Sequence, residues 1–265
     1  MLEGVAAIMR VEASPVDNTI SVSSVVDIVI PVYANEAQVR ACLSSVLAHH
    51  NESQGDIVVV NDCSPEPAIY QYLAVLADQA LITLLTNQQN EGFIVSCNRG
   101  AAVHPDNDFV LLNADTEVHG NWLDRMVSHI EPGAKVATVT PFSNNATIAS
   151  YPTGVTKPET DEAVPISSID QAMASANAGS SVELPTAIGF CMFVSREAWR
   201  ITGGFDKRYG RGYGEENEFC LATAALGWRH LLACDVFVYH AGGGSFGVES
   251  TKRKAEAQKI LDQRY

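Results

Sequence analysis

Three stretches of the chain carry residue types that could share one reaction. The first is Leu111-Leu112-Asn113-Ala114-Asp115-Thr116-Glu117, where an apolar run gives way to oxygen-bearing side chains. In an extended chain Asn113 and Asp115, at i and i+2, point to the same side. Their hard oxygens suit Mg²⁺ or Mn²⁺, although the same residue types also cap a following helix or turn. The second stretch is GRGYGEENEF at 210–219. Its glycines allow sharp bends, and Glu215, Glu216 and Glu218 follow at the start of an expected helix. The helix dipole favours acids there, and a carboxylate beside mobile glycines also suits a general base. No Lys follows these glycines and no strand precedes them, so neither a Walker A loop nor a dinucleotide fingerprint fits. The third stretch is FVYHAGGGS at 237–245, where His240 leaves a strand and enters a glycine-rich loop. A histidine there is either a hydrogen-bonded surface residue or a neutral metal ligand. The three combine into one scheme: an acid and a distant histidine share a divalent cation, the cation neutralises a diphosphate, and a glutamate removes a proton from an incoming hydroxyl.

Such side chains need a scaffold. A β-branched run at 25–32 reads as a strand buried on both faces. Helical spacing follows over 36–49. Further strands are expected at 56–61, 81–86, 109–112 and 135–140, with helices at 68–80, 92–103 and 122–130 between them. This alternation implies a parallel sheet covered by helices on both faces. Ligands of such sheets sit beyond the C-terminal strand ends, which points to 33–36, 61–64, 87–92 and 113–117. The pair Asp106 and Asp108 precedes its strand, at the wrong end, and reads as a turn. Beyond Pro141 the chain turns polar and proline-bearing; a helix is expected at 169–177, a strand at 184–195, helices at 196–202 and 216–226, a strand at 229–239 and an amphipathic tail helix at 251–265.

Composition narrows the class. The 265 residues include 17 Lys+Arg against 31 Asp+Glu, a net charge of −14, with 46% hydrophobic residues. That is ordinary globular composition, neither disordered nor collagen-like. The acidic balance argues against a nucleic-acid partner, which needs a basic face. No apolar run reaches the ~18 residues that span a bilayer, and the first residues lack the pattern of a secretory signal. Six scattered cysteines with no CxxC pair read as free thiols of a reducing cytosol.

The motifs VDIVIPVYANE (26–36), VVVNDCSP (58–65), NQQNEGFIVSCNRG (87–100), LLNADTEV (111–118), AIGFCMFVSREAWRITGGFD (187–206), GYGEENEFCLA (212–222) and VYHAGGGSF (238–246) together resemble family 2 glycosyltransferases of the GT-A fold. They fall in family order. The segment TPFSNNATIASYP (140–152) is similar to a subgroup associated with bacterial surface polysaccharide, O-antigen-type assembly. The resemblance implies an α/β GT-A fold, with a Rossmann-like, mostly parallel central sheet and a C-terminal acceptor-side half. It implies a lead-in at 1–24, a glycosyltransferase domain at 25–246 divided into a nucleotide-sugar half (25–141) and an acceptor half (142–246), and a C-terminal helix at 247–265.

By the same resemblance the chain is expected to transfer a sugar, with inversion, from a UDP- or dTDP-linked donor to a glycan or lipid-linked acceptor. Pro31, Tyr33 and Glu36 match the first nucleotide loop, Asp62 the acid that contacts the base, and Asn98 the segment lining the nucleoside pocket. Asn113 and Asp115 match the D-x-D motif, with Asn in the first place. His240 matches a third metal ligand for Mn²⁺ or Mg²⁺. Glu216 matches the general base, with Glu215 its rival, and Gly189 and Phe190 match the strand bordering the donor sugar. The expected place is the cytoplasm, with the inner face of the membrane open through a lipid-linked acceptor, and the chain reads as one module of a longer polypeptide. A nucleotidyltransferase, or a nucleotide-sugar-binding module without catalysis, are the alternatives. The first would need basic residues for a triphosphate, and the loop PVYANE holds none.

Overall fold

A computed structural model describes residues 25–51, 54–151, 164–242 and 248–265. The lead-in at 1–24 and the glycines at 243 and 244 lie outside the described residues. The first half alternates as its sequence pattern implies: β1 (Val26–Val32), α1 (Glu36–His49), β2 (Ile57–Asn61), α2 (Pro67–Asp78), β3 (Thr83–Thr86), α3 (Phe93–Ala101) and β4 (Asp108–Leu112). A two-residue strand β5 (Thr116–Glu117), α4 (Trp122–Ser128) and β6 (Val136–Phe142) follow. The second half comprises α5 (Ile166–Ala176), β7 (Ser181–Leu184), β8 (Cys191–Val194), α6 (Arg196–Thr202), α7 (Glu215–Ala224), β9 (Arg229–Phe237), β10 (Tyr239–His240) and α8 (Val248–Arg264).

The main sheet has eight strands in the order β3-β2-β1-β4-β8-β6-β9-β7. β1 pairs in parallel with β2 on one side and β4 on the other, so the chain reverses its direction of travel across the sheet at β1. That reversal opens the crevice in which ligands of such sheets bind. Period-2 alternation splits β1 between two cores. Ile28, Ile30 and Val32 pack with Val39 and Leu43 of α1 and Ile69 and Leu73 of α2. Val29 packs on the opposite face with Ile94 and Cys97 of α3, Trp199 of α6 and Phe219 of α7. Burying each such aliphatic side chain contributes roughly 1.5–3 kcal/mol, so two covered faces make β1 the rigid reference for the loops at its end.

The second half departs from the sequence expectation in two places. The single strand expected over 184–195 is two strands in different parts of the sheet. β7 lies antiparallel to β9 at the edge, whereas β8 lies antiparallel between β4 and β6. Pro185, which has no N–H to give a ladder, and the turn at Gly189–Phe190 separate them. The strand expected over 229–239 also breaks. β9 ends at Phe237, and the last residues leave the main sheet as β10, which pairs antiparallel with β5, Tyr239 opposite Glu117 and His240 opposite Thr116. All six cysteines are free thiols.

Candidate active site

The donor-side loops are held by carboxylates. Pro31 lies within β1, and Tyr33, 45% exposed, stands just beyond it. The Asn35 and Glu36 N–H groups donate to the two oxygens of Glu66, at 2.6 and 3.0 Å. Asn35 sits at φ 71° and caps α1 by accepting from the Gln38 N–H. The Glu36 carboxylate itself points outward, 2.7 Å from Arg40. Asp62 is buried at the end of β2. Its Oδ1 accepts from Asn87 (2.7 Å) and the Glu91 N–H (2.8 Å), and its Oδ2 accepts from the Gly92 N–H (2.8 Å). It therefore organises the 87–92 loop. Asn98 makes a two-way bond with the Phe205 backbone, at 2.8 and 2.9 Å, which ties α3 to that segment. It borders a cavity of about 330 Å³ shared with Gly204, Glu218 and Arg264.

The metal-type residues meet through the small ribbon. The segment after β4 turns at Asn113–Asp115 instead of running extended, because the Thr116 hydroxyl donates to the Asn113 carbonyl at 2.7 Å. The antiparallel β5–β10 pairing then sets His240 beside Asp115, with Nε2 at 3.4 Å from Oδ1, and the Ala241 N–H donates to the Asp115 carbonyl at 2.9 Å. His240 Nδ1 lies 2.7 Å from the Asn145 carbonyl oxygen, so Nδ1 carries the proton that is donated there. Nε2 is left facing the carboxylate. Asn144 grips the His240 backbone from both sides, accepting from its N–H (2.8 Å) and donating to its carbonyl (3.0 Å). The Phe190 ring stacks on the imidazole, centroids 5.2 Å apart, and the Phe190 carbonyl accepts from the Asn113 N–H at 2.8 Å. Burial alone would lower the His240 pKa, but the bond and charge of Asp115 and the Asn145 carbonyl together raise it.

These donors fit a divalent cation in their chemistry: one carboxylate, one imidazole nitrogen with its other nitrogen fixed by a carbonyl, and the Asn113 amide nearby. Among the described residues no group of three or more His, Cys, Asp or Glu converges on one point.

The acid-rich helix start is joined to the same region. Were Gly189 to carry a Cβ, it would lie 4.0 Å from the Glu216 Cγ, so Glu216 borders the turn that carries Phe190. Glu215 is buried, and its Oε2 has no hydrogen-bond partner among the described residues. Burial, then the charge of Glu216, pushes the Glu215 carboxyl well above the usual range. Burial also raises the Cys97 thiol well above its ordinary value, and the charges of Glu215 and Asp62 raise it further. Contacts lead from Asp115 through His240 to Phe190, and the adjacent Gly189 faces the Glu216 side chain. Glu66 escaped the sequence reading; Asn87 lay in the 87–92 segment it pointed to, and Asn144 and Asn145 in the TPFSNNATIASYP segment, none of them with the role seen here.

A family model described as Glycosyl transferase family 2 matches residues 27–201. The chain belongs to glycosyl transferase family 2. A Haemophilus influenzae protein described as an uncharacterized glycosyltransferase is 24% identical to this family 2 chain over 106 residues, 40% of the chain and 32% of that protein. Among solved structures, GalNAc-T7 with UDP, GalNAc and Mn²⁺ superposes with a TM-score of 0.66 at 17% identity, covering 92% of the chain and 48% of that structure. The Pyrobaculum calidifontis mannosyltransferase PcManGT with GDP-Man and Mn²⁺ gives 0.62 at 17% identity, over 91% and 65%. S. aureus TarS gives 0.60 at 14% identity, over 90% and 64%. At these identities the likeness establishes the GT-A fold. The family 2 chain spans about a third of the curated relative over their match and between half and two thirds of each solved structure. No helix among its described residues is long and apolar enough to cross a membrane.

Proposed function

We propose that the chain is a metal-dependent inverting glycosyltransferase that moves a sugar from a UDP- or dTDP-linked donor to a hydroxyl of a glycan or lipid-linked acceptor in surface polysaccharide synthesis. The observation that carries this reading is the β5–β10 ribbon, which sets Asp115 and His240 3.4 Å apart although they are distant in the sequence. Family membership and the Mn²⁺ complexes of two structural neighbours point the same way. A divalent cation held by Asp115 and His240, with Asn113 beside them, would screen the charge of a diphosphate leaving group.

The chain's own residues supply the rest. Pro31, Tyr33, Glu36 and the loop organised by Asp62 border the nucleoside, with Asn98 behind that loop. The turn at Gly189 and Phe190 borders the sugar. Glu216 accepts the proton of the acceptor hydroxyl as its oxygen bonds to the anomeric carbon. The bond from that carbon to the diphosphate oxygen breaks on the opposite face, and the nucleoside diphosphate leaves with the electron pair. Glu215 is the rival base. General-base assistance is worth ~10²–10⁴-fold, so Glu216→Gln should lower turnover by about that range while donor binding persists. Calorimetry of UDP-, dTDP- and GDP-sugars with and without Mn²⁺, followed by product analysis, tests the reading. Metal-supported binding and nucleoside diphosphate release are expected. Pyrophosphate release would favour a nucleotidyltransferase, and binding with neither transfer nor hydrolysis a non-catalytic module.

A further inference from the structure

The loop that delivers Glu215 and Glu216 follows a backbone path that its glycines allow and that Tyr213 does not favour. Gly210, Gly212, Tyr213 and Gly214 all have positive φ, at 70°, 139°, 81° and 83°. Tyr213 bears a Cβ and resists that region. Such a segment persists only where its surroundings determine it. One side is fixed by the donor-side loop. The Phe93 N–H donates to the Arg211 carbonyl at 3.2 Å, and a Cβ on Gly92 would lie 2.9 Å from the Arg211 Cα.

The other side is fixed by α8. Ala257 and Leu261, four residues apart and so on one helix face, are both buried in the core that contains Tyr209 and Phe219. A Cβ on Gly214 would lie 2.9 Å from the Ala257 Cβ, so the helix rests directly on the residue before Glu215. At the end of α8, Arg264 lies 2.7 Å from Glu218 and 3.1 Å from Asp206, and the Tyr265 hydroxyl donates to Glu218 at 3.1 Å. The Glu218 side chain is only 5% exposed, whereas that of Arg264 is 41% exposed. An acid so enclosed depends on its cation, and the close ion-pair partner among the described residues is Arg264 of α8, with Arg208 contributing charge from farther away. Ala257 and Leu261 are buried and Ile260 packs partly against the same core, so the ion pair acts beside an apolar contact and pins the end of the helix that this contact seats.

We propose that Arg264, through its ion pair with Glu218, is a positioning residue that locks α8 against the 210–214 loop and so fixes the two glutamates relative to the donor side. The proposal deepens the transferase reading and rests on it only for its kinetic consequence. A small misplacement of a reacting group lowers turnover steeply, by up to about 10²-fold for 1 Å. Arg264→Ala, a change at a partly exposed residue, is therefore expected to lower kcat by about three- to thirtyfold, within that limit. KM for the donor should stay within about twofold, because the β5–β10 ribbon and the Asp62 loop are held by hydrogen bonds of their own. Hydrogen exchange at the amides of 212–218 should speed up by about tenfold or more, while those of β1 and β4 stay as they are. Arg264→Lys should recover most of both effects, and Glu218→Gln should reproduce the faster exchange. Unchanged exchange in both Arg264→Ala and Glu218→Gln would overturn the proposal. So would a matched loss of kcat and donor affinity with faster exchange throughout the sheet, which marks general destabilisation. The exchange measurement needs no substrate, so a wild-type chain that transfers no sugar would sink the proposed reaction and leave exchange alone to decide on Arg264.

Discussion

At His240, the nitrogen that faces Asp115 is selected by a bond on the far side of the ring. The Asn145 carbonyl takes the Nδ1 proton, and the Asn144 amide holds the backbone that carries the ring. Partners of this kind are worth about 10–100-fold in metal affinity elsewhere. Asn144→Ala should therefore weaken Mn²⁺-supported donor binding by roughly that factor, with the circular dichroism spectrum intact; unaltered calorimetric affinity would remove Asn144 from the site. Glu215 yields a second outcome. Burial, then the neighbouring Glu216 charge, raises its folded-state pKa well above the unfolded carboxyl. Its stabilising contribution is therefore full below the unfolded value near ~4.3 and disappears as pH rises to the folded pKa. Glu215→Gln stays neutral throughout. Its melting temperature relative to wild type should rise between pH 4 and pH 8, and a pH-independent difference would show that Glu215 is not held protonated. Asp115, His240, Glu215 and Glu216 could be singled out as candidates in the sequence because their types stand at strand and helix ends. Asn144, Asn145 and Glu66 were not, because their partners are backbone groups that only the folded chain brings near.

Helices and strands that repeat their hydrophobic period over a full turn or more were read correctly, and those too short to repeat it were not. β5 and β10 have two residues each, yet their pairing sets the Asp115–His240 geometry. The single run at 184–195 hid two strands, because an apolar stretch signals burial and says nothing of which neighbour it pairs with. Close packing between elements is visible at Gly100. A Cβ there would lie 2.4 Å from the Val29 Cγ1 and 3.1 Å from the Val60 Cγ2. Alanine gains about 1 kcal/mol of helix propensity over glycine, and overpacking costs about 1–3 kcal/mol. Both valines belong to buried sheet strands and are β-branched, so neither can swing aside and the clash should win. Gly100→Ala should move the urea midpoint downward; an unchanged or higher midpoint would mean that α3 shifts without cost.

The proposed division of the chain at residue 141 into a nucleotide-sugar half and an acceptor half concerns which loops would face which ligand; the strand order bears on how they fold. β8, from the second half, lies between β4 and β6 of the first, and β6 in turn lies between β8 and β9. Neither half can complete its sheet alone: removing the second would leave β4 and β6 without the strand that joins them. A buried polar cluster adds to this. Arg125 of α4 meets Asp170 of α5 at 2.6 Å, Asp170 accepts from the Phe237 N–H at 3.1 Å, and His129 meets Asp235 of β9 at 2.7 Å. Breaking such a buried pair leaves an uncompensated charge, at a cost of about 3–5 kcal/mol. The loss from Asp170→Ala should therefore not stay local to the acceptor half. Heating should produce one calorimetric transition in wild type and variant, lower in the variant, with fluorescence and circular dichroism melting together at the same midpoint. If donor with Mn²⁺ binds loops from both halves, as proposed, it should shift that whole transition upward. Two separable transitions, with only the later one moved by Asp170→Ala, would show that the interleaved sheet does not couple the halves.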